Sequence, residues 1–287
     1  MRWFIVLSAA LILVWAGASS AQEEGWNVAS DINLTLTQNA YSDNWDGTET
    51  GSISWAFTSN SVAEKMLTDS ILNKHRLELE YGQTHRQDPE TNEWKRPEKS
   101  ADVIDYETLL QFMIGWFVDP YVAGRVETQF HDERFDNTMA LNPALFTESA
   151  GIARAVFRTD EREWTNRIGV AFRQELDRNV GGEEETETTT DGGIQFVSEL
   201  RTPLAEDRIT LSSRLELYQA LIYSEEDEEG VGDEWKSLDA SLENTLAASI
   251  TDHITVNLIL DLLYDEEIDD DVRFRETLAL GLTFKLL

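Results

Sequence analysis

Four histidines, a set of arginine–carboxylate alternations and three acidic runs are the residues of this chain whose types could do chemistry. His75, His85, His131 and His253 are the only histidines. His85 and His131 precede Asp88 and Asp132, and a His beside a carboxylate can serve as a general base. No G-x-S-x-G nucleophile elbow, P-loop, dinucleotide fingerprint or H-E-x-x-H helix accompanies them. Without cysteine, thiolate metal sites and disulfides are excluded. The acidic runs are Glu183-Glu184-Glu185-Thr186-Glu187, Glu225-Glu226-Asp227-Glu228-Glu229 and Asp265-Glu266-Glu267 followed by Asp269-Asp270-Asp271. Oxygen-rich clusters of this kind suit Ca²⁺ or Mg²⁺, with Asp227, Glu228, Asp269, Asp270 and Asp271 as the candidate ligands. None has a regular ligand spacing, so a solvated acidic fringe is the simpler expectation. Asp43-Asn44-Trp45-Asp46-Gly47 resembles part of a calcium loop but lacks the terminal Glu.

The elements that must position these residues are strands. In Val272–Leu287 the residues Val272, Phe274, Leu278, Leu280, Leu282, Phe284 and Leu286 share one parity, and Arg273, Arg275, Thr277, Thr283 and Lys285 the other. A period of two makes one apolar and one polar strand face. The pattern recurs near 26–38, 50–59, 71–87, 102–118, 121–131, 150–158, 163–177, 193–202, 208–222, 236–250, 253–264 and 272–286. Short links at Asp119-Pro120, 159–162, 203–207 and 251–252 alternate with long ones at 39–49, 88–101, 132–149, 178–192, 223–235 and 265–271. The link at 60–70 reads as longer than this alternation predicts. Short turns at one rim and long loops at the other predict an all-β, antiparallel, up-and-down transmembrane barrel of about twelve strands, with both ends on the short-turn side.

Which face points outward decides between a membrane barrel and a soluble β protein. The polar parity carries Arg76, Glu78, Glu80, Asp105, Glu107, Gln111, Arg125, Glu127, Gln129, Arg154, Arg158, Arg167, Arg173, Glu175, Glu199, Arg201, Arg214, Glu216, Asp239, Glu243, Asp261, Arg273 and Arg275. Arg dominates over Lys there, and a planar guanidinium suits enclosed, multiply bonded ion pairs. A soluble exterior would use more Lys. The expectation is therefore an apolar face toward lipid and a charged lining. The lumen candidates are Arg76, Glu78, Glu107, Arg125, Glu127, Arg154, Arg173, Glu199, Arg201, Arg214, Glu216, Glu243, Asp261 and Arg275. Two outcomes stay open: a lumen plugged by these side chains, or a water-filled channel whose charge rings set selectivity. Trp116, Tyr121, Trp164, Tyr223, Trp235 and Tyr264 fall near strand ends, where interfacial girdles form.

Residues 1–21 read as a signal peptide: Arg2, an apolar core from Phe4 to Val14, and Ser19-Ser20-Ala21 before the cleavage point. Residues 22–287 are then one barrel domain in the outer membrane with periplasmic termini. Its expected partners are membrane lipid and the barrel assembly machinery. With 55 acidic against 23 basic residues and a net charge of −32, nucleic acid is excluded as a partner.

Several segments resemble a family of uncharacterised bacterial outer-membrane barrels, known as a domain of unknown function. They are Gln38-Asn39-Ala40-Tyr41-Ser42-Asp43-Asn44-Trp45, Asn73 to Gly82, Asp119-Pro120-Tyr121, Leu263-Tyr264-Asp265 and Glu276 to Leu282. The resemblance implies a signal peptide, a barrel and an outer-membrane location, and it assigns no catalytic residue. The chain departs from such barrels in ending on Leu287 rather than an aromatic residue. Three functions follow as expectations: a passive pore or structural membrane protein without enzymatic activity or cofactor; a surface binder of divalent cations or a cationic partner; or a lipid- or protein-modifying enzyme using His85 or His131.

Overall fold

Alternating β-branched and aromatic residues drive strands, and antiparallel neighbours close them into one ring. The computed structural model describes residues 25–40, 50–134, 139–159, 161–178, 186–205, 208–227, 231–251 and 254–285. Twelve strands run in chain order: β1 (Asn27–Asn39), β2 (Ser52–Thr68), β3 (Ile71–Arg86), β4 (Glu98–Phe112), β5 (Asp119–Thr128), β6 (Ala144–Arg158), β7 (Glu163–Arg178), β8 (Thr186–Leu204), β9 (Ile209–Tyr223), β10 (Leu238–Ser249), β11 (Ile254–Asp265) and β12 (Asp269–Lys285). Each pairs antiparallel with its sequence neighbours, and β1 meets β12, so the sheet closes as a barrel. The β2–β3, β4–β5, β6–β7, β8–β9 and β10–β11 links share one rim with the start of β1 at Asn27 and the end of β12 at Lys285. The opposite rim carries 40–51, 87–97, 129–143, 179–185, 224–237 and 266–268.

Several boundaries differ from the sequence reading. The stretch 60–70 is not a long link, because β2 continues to Thr68 opposite β3 and leaves a two-residue turn. Its polar residues Ser59, Ser61 and Lys65 interrupt the apolar parity and conceal the strand. β4 stops at Phe112 instead of 118, since Met113–Val118 form the turn and Asp119 caps it by accepting from the Ile114 N–H at 3.2 Å. Asp119-Pro120 is thus the start of β5. β6 begins at Ala144 and β8 at Thr186, well before the sequence positions, because their outer ends are Thr-, Ser- and Glu-rich. Asp269, Asp270 and Asp271 lie within β12 rather than in a long loop. The signal-peptide residues, the 43–47 motif and Glu183–Glu185 lie outside the described residues.

The strand faces are inverted relative to a soluble protein. Leu36 and Leu278 are 70% exposed and Val170 is 64% exposed, whereas Arg167 is 4% and Arg214 7% exposed. Apolar area on this scale needs an apolar solvent, and a ring of antiparallel strands satisfies most backbone groups internally, as a bilayer requires.

The interior is shaped by aromatic–glycine contacts. Tyr121 on β5 is almost fully buried, and its hydroxyl lies where a Cβ on Gly169 of β7 would be, 2.8 Å from that position. Tyr218 of β9 does the same at Gly193 of β8, with ring Cζ 2.8 Å away and the Gln219 carbonyl nearer still. A side chain at either glycine would displace the ring. The sheet register shifts at Gly192/Gly193, a bulge that bends the wall there. Tyr121 and Tyr223 therefore face inward and do not belong to a lipid girdle. Trp164 faces outward, packs on Phe157 at 6.0 Å and donates to Ser198 Oγ at 3.1 Å. Trp116 and Phe117, 80% and 74% exposed in the 113–118 turn, sit at the same rim.

Candidate functional site: a charged lattice across the barrel

Strand register fixes which charges share the inner face. Arg76 pairs with Glu107, Glu107 with Arg125, Glu199 with Arg214, Arg214 with Glu243, Glu243 with Asp261 and Asp261 with Arg275. Opposite charges thus face each other at every one of these pairs except Glu243–Asp261, where two carboxylates meet. Long arginines also reach beyond their neighbours. Arg125 on β5 donates to Glu216 on β9 at 2.8 Å. Arg167 on β7 donates to both oxygens of Glu107 on β4, at 2.9 and 3.0 Å. Arg214 on β9 contacts Glu199 at 2.5 Å, Glu216 at 3.1 Å and Glu107 on the far wall at 3.3 Å. Lys74 on β3 lies 3.8 Å from Glu163 on β7 and 3.9 Å from Glu199 on β8. Contacts between strands three to five places apart in the ring can be made only through the interior, so these side chains bridge it.

Asp105 anchors the lattice on β4. It accepts from Arg125 Nε at 2.9 Å and from Arg76. Arg76 also reaches Glu78 at 3.3 Å, and Arg125 reaches Glu127 at 2.9 Å. Gln195 adds a neutral donor to Glu216 at 2.6 Å. Pairing several carboxylates with each guanidinium offsets the desolvation that one buried pair would leave uncompensated. The Nε atoms of Arg76, Arg167 and Arg214 remain without protein partners.

Toward the long-loop rim the balance turns acidic. Arg173 lies over the Tyr218 ring, with its guanidinium carbon 3.2 Å from the centroid, and bonds Asp239 at 2.9 Å. Tyr218 in turn donates to Asp191. A cavity of about 310 Å³ opens here, lined by Asp102, Glu127, Thr128, Gln129, Pro143, Leu145 and Glu175. At the rim itself, partial burial beside Asp265, Asp239 and Asp191 pushes Glu267 up to about 7. At this rim Asn142 and Arg134 tie Asp132 to the end of β7. Asn142 donates to Asp132 at 2.8 Å, to Asp177 at 3.0 Å and to the Arg178 carbonyl at 2.9 Å. Arg134 donates to Asp132 and Asp177, and holds the Asp132 carboxyl well below the usual range.

Among the sequence candidates, the lattice joins Arg76, Glu78, Glu107, Arg125, Glu127, Glu199, Arg214 and Glu216. Arg173 and the Arg275–Asp261 pair, 2.7 Å apart, lie on the same face. Glu243 and Arg201 share that parity, and neither makes an ion pair among the described residues. Arg154 is a correction. Ala153 pairs with Arg167 on the inner face, so Arg154, paired with Asn166, points outward. There it stacks on Phe117, 3.6 Å from the ring centroid, and donates to the Phe117 carbonyl. Lys74 and Glu163 were not singled out from sequence. Lys74 shares the parity of Arg76, which was the available signal, whereas Glu163 reads as part of a turn.

The candidate cation ligands are not gathered. Asp227 lies in the 224–237 loop, Glu228 lies outside the described residues, and Asp269–Asp271 follow one another along β12. Among the described residues no group of three or more His, Asp and Glu side chains converges as a metal site. His131 packs edge-on against Tyr81 at 6.3 Å, while no hydrogen bond or ring contact joins it to His85.

An antiparallel ring with an apolar exterior, a charged interior, short turns at one rim and long loops at the other is a transmembrane β-barrel of the outer-membrane class. Residues 36–133 match a family model described as a protein of unknown function (DUF3078). No curated protein matches the chain. Among solved structures it is similar to the COG4313 outer membrane channel from Pseudomonas putida F1, at 11% identity over 92% of this chain and 95% of that one, with a TM-score of 0.43. It is also similar to the translocator domain of autotransporter NalP from Neisseria meningitidis, at 10% identity over 97% and 94%, with a TM-score of 0.35. A third is the beta domain of the Bordetella autotransporter BrkA, at 10% identity over 91% and 99%, with a TM-score of 0.36.

Proposed function

We propose that the protein is a narrow, cation-preferring passage through the outer membrane, working without enzymatic chemistry or a resident cofactor. The observation that carries this is the set of contacts crossing the barrel from Glu107 to Arg167 and Arg214, and from Arg125 to Glu216. These side chains divide the interior, so a large hydrated solute has no free path. Water and small ions are left the gaps around the guanidinium edges. The acidic mouth formed by Glu175, Asp191, Asp239 and Glu267 concentrates cations before they reach the lattice. Arg76, Arg125, Arg167 and Arg214 then set the barrier, as charge rings do in other pores.

The test is a pair of transport assays on the refolded barrel. In liposomes it should fail to admit neutral sugars in swelling experiments. In a planar bilayer under a KCl gradient, the reversal potential should have the sign of K⁺ preference. Rapid sugar uptake, or a reversal potential of the opposite sign, would overturn the reading.

A further inference from the structure

The seam between the first and last strands is closed along only part of its length. Among the described residues β1 and β12 pair solely at Asp31↔Lys285, Ile32↔Phe284, Asn33↔Thr283 and Leu34↔Leu282. Yet β1 pairs with β2 from Asn27 to Asn39, and β12 pairs with β11 up to Asp269. At the same register Thr35–Asn39 would meet Thr277–Gly281, and those pairs are not made. The ring is therefore slit on the long-loop side, over a length of roughly 15 Å at the rise of a strand.

Its two flanks differ. Outside stand Leu34 and Leu36 on β1, and Leu278, Leu280 and Phe274 on β12, all at least half exposed. Inside, Arg275 donates to Asp261 at 2.8 Å and to Glu80 on β3 at 3.2 Å, so one guanidinium spans the seam from β12 past β1 and β2. Asn257 of β11 bonds Asn33 of β1 at 3.3 Å just below. Arg273 shares the inward parity of Arg275 and lies nearer the rim. It has no carboxylate within 4.0 Å among the described residues, and its Nε is enclosed without a partner. One uncompensated cation thus sits above a slit with an apolar outer lip.

We propose that this slit is a binding site for a single-chain amphiphile with a carboxylate head, of the fatty-acid class. The head group bonds Arg273 with help from Arg275, and the tail runs toward the bilayer centre along Leu36, Leu278 and Leu280. That orientation is the one a lipid of the outer leaflet already has. A single carboxylate head supplies the contact that Arg273 lacks, while Arg275 is already shared between Asp261 and Glu80. The acidic mouth disfavours a dianionic phosphate. A peptide strand could pair with the free edge, but it would leave Arg273 without a role.

The experiment uses the full mature chain refolded in phosphatidylcholine nanodiscs with a diazirine-bearing palmitate, followed by peptide mass mapping. Labelling should concentrate on 34–39 and 274–281. Arg273→Gln with Arg275→Gln should lower it at least fivefold. The chain has no native cysteine, so Leu36→Cys with Leu280→Cys, which lie opposite in the continued register, should zip the slit when oxidised and restore labelling when reduced. Labelling spread evenly around the apolar belt and unchanged in the arginine variant would overturn the proposal. So would equal labelling by a diazirine lysophosphatidylcholine. Amide exchange offers a check that needs no variant: without added amphiphile, Thr35–Asn39 should exchange much faster than Ile53–Thr58. Equal protection would mean that a strand already fills the edge, and would refute the site.

Discussion

Arg214 is the residue whose removal should cost the barrel most. Its guanidinium meets Glu199 at 2.5 Å, Glu216 at 3.1 Å and Glu107 at 3.3 Å, and the side chain is only 8% exposed. At an effective dielectric near 20, each unit pair at about 3 Å is worth roughly 5 kcal/mol of gross attraction, most of it offset by desolvation. Arg214→Ala forfeits all three contacts; Glu107 keeps Arg167 and Glu216 keeps Arg125, but Glu199 is left with Lys74 at 3.9 Å, so the net loss should be about 3–5 kcal/mol. Arg214→Met keeps much of the volume and should lose nearly as much, which separates charge from packing. Unfolding of refolded protein in detergent, followed by the gel shift of heat-modifiable barrels and by tryptophan fluorescence, gives the value. Arg162→Ala, an exposed turn residue, should change stability by no more than about 0.5 kcal/mol. A double-mutant cycle with Glu199→Gln should return a coupling above about 1 kcal/mol. If Arg214→Ala and Arg214→Met both unfold within about 1 kcal/mol of wild type, the lattice does not hold the interior and the reasoning fails.

Other expectations follow from the same geometry. Gly193→Val places a side chain against Tyr218 and the Gln219 carbonyl, and should cost about 1–3 kcal/mol through overpacking; wild-type stability in the same unfolding assay would contradict it. Asp132 has a depressed carboxyl pKa through Arg134 and Asn142, so its stabilisation of the 129–143 loop is present above the unfolded value near 3.9 and lost as pH falls through the folded value. Protease protection of that loop should therefore persist from pH 7 to about 4, and decline below that in wild type but not in Asp132→Asn. Glu267, raised to about 7 by partial burial among carboxylates, has the opposite sign: its charged form is the destabilised one, and rim stability falls as pH rises through about 7. Cation preference should weaken between pH 8 and 6 as Glu267 takes up its proton, and Glu267→Gln should flatten that titration.

Much of the architecture is legible in the residues, because a two-sided environment imposes a period of two. The parity of Arg125, Arg214, Glu107 and Glu216 is legible in the sequence, since an arginine flanked by alternating apolar residues has only one face to occupy. Arg154 misled for a local reason. β6 keeps small residues inward at Thr147, Ser149, Gly151 and Ala153 to admit Tyr121 and Arg167, and small residues leave a weak parity signal. Boundaries fail where strands leave the hydrocarbon: the Thr-rich start of β8 and the acidic start of β12 look like loops in sequence, yet Thr186–Thr190 pair with β7 and Asp269 pairs with Asp265 of β11. Which carboxylate each guanidinium reaches was not legible. Arg125 and Glu216 are separated by 91 residues, and only closure of the ring brings them together. The short β1–β12 seam was equally hidden, because pairing length is a property of two strands and of neither alone.

Single-channel recording in planar bilayers compares the wild-type barrel with Arg125→Ala, Arg214→Ala and the pair combined. A lattice that spans the interior predicts small unitary currents for wild type, a several-fold increase for each single variant and a larger one for the double. Large wild-type currents that none of the three substitutions alters would show that these side chains lie against the wall, leaving the passage open.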